Sequence, residues 1–231
     1  MPDRALLGLA PYLPRHRPRA AARWWIARAA LRGERIEIAS LEEQEGLPVV
    51  DALAGLAAPC TLPRAFLAHL DRLPAECTAE RLCRETRLFA ATRNRGDRHP
   101  PRHPQESLSA LDRRRLPLHH AALPLLAQLP LIPFAATPQA APALVEVDVP
   151  ALLRSRDLPH RALTGDLPAA VDARARVLKG LDALVLDDLA HDRAVANHDA
   201  LRAIVSVFAA AVVSRCDALP LEDGAEAWFV S

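Results

Sequence analysis

Two carboxylates stand where they could do chemistry. Glu146 lies within the apolar run Leu144-Val145-Glu146-Val147-Asp148-Val149, and Asp199 stands near the start of a long helical stretch. A carboxylate inside an apolar strand is costly unless it is paired or bound to a cation. Hard carboxylate oxygens are the ligands that Mg²⁺ and Mn²⁺ take. Glu146 and Asp199 are therefore candidate catalytic residues and candidate metal ligands, with Asp148 or Asp51 as a third acid. Each also has a plainer role. Glu146 can face solvent or pair with an arginine such as Arg202, Asp148 suits a strand end, and Asp199 complements a helix dipole.

Other clusters carry weaker chemistry. Asp187, Asp188, Asp192 and Asp199, with His191 and His198, form either a metal-binding stretch or a solvated acidic face. His99, His103, His119 and His120 have no matching set of acidic or cysteine partners nearby and read as surface residues. The four cysteines are Cys60, Cys77, Cys83 and Cys216; none forms a C-x-x-C pair, which leaves zinc and thioredoxin-type chemistry unsupported. Cys60 follows a strand, where a nucleophile could stand, but the sequence assigns it no histidine.

Arginines 81, 84, 87, 93, 95, 98, 102, 113, 114 and 115 make a basic excess between 81 and 115. That suits contacts to nucleic-acid phosphates, with Arg113, Arg114 and Arg115 as the densest run. Phe89 is the only aromatic in that segment, so base stacking has little support and a solvated basic surface is the alternative. The chain has no phosphate-cradling Gly-rich loop, no G-x-S-x-G elbow and no H-E-x-x-H pair.

The elements that must position these groups follow from composition and periodicity. The chain has 231 residues, 51% of them hydrophobic, enough for a sizeable core in one large domain or two small ones. Net charge is only +1, and Lys179 is the single lysine. No apolar run reaches the ~18–20 residues of a membrane span, and Pro11 and Pro14 break the apolar N-terminus, so a cytoplasmic location is expected.

Residues 5–10 read as a buried strand and 11–22 as a Pro- and Arg-rich loop. Residues 23–39 read as a β-hairpin turning at Arg32-Gly33-Glu34. A short helix fits 42–53, followed by a strand at 54–58. Helical spacing at 64–72, 78–92 and 107–129 surrounds a polar, Pro-rich loop at 93–106. Then come a strand at 144–149, a short helix at 151–156, helices at 168–185 and 198–215, and a closing strand at 226–230.

This order of elements resembles the RNase H-like architecture, and more specifically the domain-of-unknown-function family 429, described as predicted nucleases. Leu7-Gly8-Leu9-Ala10 is similar to a family opening of the type G-V-D-x-S-G, and Gly55-Leu56-Ala57-Ala58-Pro59-Cys60-Thr61-Leu62-Pro63 to G-[LI]-D-x-P-x-x-L-P. Leu144-Val145-Glu146-Val147 followed by Leu158-Pro159-His160 resembles an L-V-E-x-[YH]-P strand and its L-P continuation. Asp199-Ala200-Leu201-Arg202-Ala203 and Glu226-Ala227-Trp228-Phe229-Val230 resemble a D-A-x-D-A helix start and an E-G-W-I terminal strand.

The chain departs from the pattern where the chemistry lies. Ala10 and Ala57 stand where the two strand aspartates are expected, and Arg202 stands at the second acid of the helix motif. Only Glu146 and Asp199 remain at matching acidic positions. A charged contact contributes about 1.5–3 kcal/mol, so losing two acids removes roughly 3–6 kcal/mol of metal binding. Arg202 adds positive charge where a cation would sit.

The resemblance implies an α/β fold over residues 1–231: a single RNase H-like domain, a mixed sheet flanked by helices, with a basic helical insert around 64–135. It implies a catalytically degenerate member of a predicted nuclease family, with a binding or scaffold role and no cofactor. Two alternatives stand beside it: a divergent phosphodiesterase or nuclease using Mg²⁺ or Mn²⁺ on Glu146 and Asp199, and a nucleic-acid-binding module centred on 81–115. No membrane partner is expected.

Overall fold

The computed structural model describes residues 3–14, 22–57, 142–147 and 149–215, together with Leu118, Ala121, Ala122 and Leu125. Arg113 to Arg115, nearly all of the insert, Asp148, Cys60 and the 226–230 segment lie outside the described residues.

The first strand, β1 (Arg4–Tyr12), pairs antiparallel with β2 (Arg23–Arg32), which pairs antiparallel with β3 (Arg35–Glu45). Gly33 takes the left-handed turn position at φ 61°, which a residue without Cβ enters freely. The register shifts between Arg28 and Ala29, a bulge that bends the hairpin. On the other side of β1, β4 (Leu53–Ala57) and then β5 (Ala143–Val147) run parallel to it. The two-residue β6 (Leu184–Val185) runs parallel to β3. The result is one mixed six-stranded sheet, in the order β5-β4-β1-β2-β3-β6, with flanking helices: an α/β fold.

Helix α1 (Val149–Ser155) follows β5 directly, with Pro150 in its first turn, where a missing N–H costs nothing. Helix α2 (Pro168–Gly180) begins the same way at Pro168. Asp187 caps α3 (Asp188–Ala196) by accepting from the Ala190 N–H at 2.7 Å. Helix α4 (His198–Arg215) is the core helix: Leu201, Ala203, Ile204, Val205, Val207, Ala209, Ala210 and Ala211 are all fully buried. Its last turn is tied down by Arg4, whose Nη1 donates to Ser214 O at 2.7 Å. The opposite sheet face is also covered, since Leu7, Leu9, Trp24, Ala54, Leu56 and Leu144 are buried. Leu118, Ala122 and Leu125 are helical and buried as well.

Three sequence expectations are corrected. Pro11 and Tyr12 belong to β1 rather than to a loop. No helix occupies 42–53: Glu42 to Glu45 continue β3, because their partners across the sheet, Ile26 back to Arg23, extend the pairing. The helix expected over 168–185 stops at Gly180, and Leu184–Val185 then joins the sheet as β6.

Candidate functional site

The site expected from sequence lies at the carboxyl ends of β1, β4 and β5, beneath the first turns of α4. Gly8 pairs with Gly55 and Leu9 with Leu56, so Ala10 and Ala57 follow side by side. Ala57 is level with Val147, and Ala10 is level with Trp25, which in turn faces Glu43. Directly opposed residues share one sheet face. Val147, Ala57, Ala10, Trp25 and Glu43 therefore form one row across the sheet on the face that α4 covers. Ala10 and Ala57 are both fully buried in the core shared with that helix. They continue the small-residue seam begun by Gly8 and Gly55, against which α4 lays Ala203 and Ser206.

Glu146 takes the register position of Leu56, one residue before the row. Asp199 lies in the first turn of α4, and Arg202 lies one turn further on. Asn197 caps the helix: its Oδ1 accepts from the Asp199 N–H at 2.8 Å and the Ala200 N–H at 3.2 Å. Asp199 is thus not the cap, and its carboxylate turns to a cation instead. Arg202 Nη1 donates to Asp199 Oδ1 at 3.1 Å, and His198 Nδ1 stands 3.8 Å from the same oxygen.

The guanidinium also reaches the sheet. Nη1 lies 3.4 Å from Pro11 O and Nη2 lies 3.5 Å from Ala57 O. These two contacts are longer than the usual optimum, so the charged contact to Asp199 leads. The Arg202 side chain is only 12% exposed and that of Asp199 28%. Arg202 accordingly pairs with Asp199 at the strand ends. A two-metal centre needs several convergent carboxylates. Among the described residues, the row offers two alanines, a valine, a tryptophan and a Glu43 already held by Tyr12 and Arg23, and α4 adds an arginine-bound aspartate, a donor set that does not fit such a centre. Among the described residues, no three His, Cys, Asp or Glu stand close enough to hold a metal ion.

A second polar group borders this row, and sequence reasoning missed it. Tyr12 Oη donates to Glu43 Oε1, Arg23 Nη1 donates to the same oxygen at 2.8 Å, and Arg23 Nη2 donates to Glu45. Burial, followed by the hydrogen bond and charge of Glu43, pushes the Tyr12 phenol up from its ordinary 10.0 to about 12. The Tyr12 hydrogen bond, followed by Arg23, holds the Glu43 carboxyl low against a smaller opposing effect of burial. Tyr12 is the only tyrosine in the chain, so its titration can be read without ambiguity. Because the folded pKa is raised, its contribution to stability is full below pH 10.0 and is lost as pH rises toward about 12. Phenolate absorbance in the native chain is therefore expected to appear near pH 12, and Glu43→Gln to move it downward. Ionisation at the ordinary value in the folded native chain would contradict this geometry.

No protein family, curated protein or solved structure matches this chain. The acidic stretch resolves into separate jobs: Asp187 caps α3, Asp199 pairs with Arg202, and Asp192 is exposed beside His191. The Trp25 indole N–H is buried without an acceptor, the one such side-chain group among the described residues. Among the described residues, no helix is long and apolar enough to cross a membrane.

Proposed function

We propose that the chain is a catalytically degenerate member of the predicted RNase H-like nuclease family, acting as a binding or scaffold protein. The supporting observation is the buried pair of alanines, Ala10 and Ala57, side by side at the strand ends. The strand order supports the frame: an antiparallel β1-β2-β3 meander on one side, and β4 and β5 parallel to β1 on the other. In that frame, positions 10 and 57 are those from which acids would reach a shared pair of cations. Methyl groups there neither coordinate a metal nor take a proton.

The alternative of a divergent Mg²⁺- or Mn²⁺-dependent phosphodiesterase would have to use Glu146 and Asp199. Asp199 already carries an arginine on one oxygen, which opposes the approach of a divalent cation. Calorimetric titration of metal-stripped protein with Mn²⁺ is the direct test, alongside Glu146→Ala. Heat consistent with no binding up to millimolar metal is expected for both. Micromolar binding in the native chain that vanishes in Glu146→Ala would overturn the degenerate reading and restore the hydrolase.

A further inference from the structure

We infer that Arg202 is a resident cation: its guanidinium takes the place that a metal would hold in the frame, and clasps β1, β4 and α4 together. The comparison with a metal rests on the degenerate reading above; the clasp itself stands on the contacts.

The carboxyl ends of parallel strands leave backbone carbonyls without ladder partners, and here Pro11 O and Ala57 O point at one spot. The first turn of α4 brings Asp199 to the same spot. Among the described residues, two neutral carbonyl oxygens and one carboxylate face the guanidinium. Such a shell is poor for a divalent ion, which needs more anionic ligands and tight octahedral distances. It suits a monovalent, planar donor. A guanidinium presents five N–H groups in a fixed fork and keeps its charge when partly buried. Arg202 supplies that donor from within the helix that also carries Asp199, so cation and counter-charge arrive together when α4 docks. Ala10 and Ala57 add no charge of their own beside the Arg202–Asp199 pair. Acids at those two positions would add two negative charges to the same spot and favour a metal ion.

The clasp joins parts that are far apart in sequence. Pro11 and Arg202 are 191 residues apart, and Ala57 and Arg202 are 145 apart. A contact of that kind helps to fix how α4 seats on the sheet, alongside the close approach at Gly8 and Gly55.

The test is chemical rescue in the full chain. Arg202→Ala is expected to melt several degrees below the native protein. Millimolar methylguanidinium is expected to raise its melting temperature, by ligand linkage, while leaving the native protein unmoved. Methylammonium, which has the charge without the planar fork, is expected to give a smaller rise. If Arg202→Ala does not fold by itself, recovery of its circular dichroism on adding methylguanidinium is the same result. A melting temperature for Arg202→Met at or above the native value would overturn the clasp. So would a rise with methylguanidinium in the native protein equal to that in Arg202→Ala. These melts report on the clasp alone, whereas Mn²⁺ binding to the native chain reports on the family reading alone, so either can fail without the other.

Discussion

Gly55→Ala is expected to cost about 3 kcal/mol or more, at or above the upper end of ordinary overpacking. A Cβ at position 55 would lie 2.0 Å from Ser206 O and 2.7 Å from its carbonyl carbon. At Gly8 it would lie 1.9 Å from Ala203 O. Both obstacles are backbone atoms of α4, so no rotamer change relieves them; the helix itself must lift from the sheet. Lifting it loosens the contact of Leu201, Ile204, Val207 and Phe208 with the core. Against a typical total stability of about 5–15 kcal/mol, either substitution removes a large share. Urea denaturation should show a lower midpoint, and the double variant Gly8→Ala/Gly55→Ala is expected to fold poorly. A midpoint corresponding to a loss below about 1 kcal/mol, within the reach of an ordinary substitution, would mean that α4 does not approach the sheet so closely.

Arg174→Met is expected to cost roughly 2–4 kcal/mol, because a buried acceptor left without its donor costs about 1–3 kcal/mol and more than one is left here. The Arg174 side chain is almost completely buried, on α2. Nε donates to Val195 O, Nη1 donates to Leu163 O at 2.7 Å and Gly165 O at 2.8 Å, and Nη2 donates to Ala196 O at 3.3 Å. One side chain thereby ties the loop before α2 to the α3–α4 junction, where Asn197 caps the helix that carries Asp199 and Arg202. Methionine fills a similar volume but donates nothing, so four carbonyls lose a charged donor. The loop also contains Ala162 at φ 56°, a left-handed conformation that a residue with a Cβ holds only when its surroundings impose it. Hydrogen exchange should accelerate over 160–166 and at 195–200 before it does elsewhere. A variant with native stability and unchanged exchange would show that this network carries little.

The parts of the fold that were legible in the sequence are those with long, consistent patterns. Helix α4 spans His198–Arg215, as its apolar spacing indicated, and the hairpin turns at Gly33. The misreadings have local causes. Glu42, Glu43, Gln44 and Glu45 favour helix by intrinsic propensity, but the neighbouring strand decides: Arg23 pairs with Glu43 and Glu45 across the sheet. Leu184–Val185 is too short for any periodicity to reveal. At the site, Ala10, Ala57 and Arg202 were singled out only by the resemblance to the family's motifs, and the contacts of Arg202 needed the strand ends in place. The Tyr12, Arg23 and Glu43 group was invisible because it depends on the register of three strands at once.

The brevity of β6 leaves most of β3 at a sheet margin. Beyond Glu37, β3 meets no further strand on that side among the described residues. Open margins of this sort template aggregation by admitting strands from other molecules. Here the margin is guarded. Arg193 Nη1 occupies the Leu41 carbonyl at 2.6 Å, and the strand closes with Glu42, Glu43 and Glu45. An incoming strand would have to displace a charged donor and then lie along a row of glutamates. Arg193→Ala therefore bears on the colloidal behaviour of the protein: it reopens an acceptor on a strand that already has the length for intermolecular pairing.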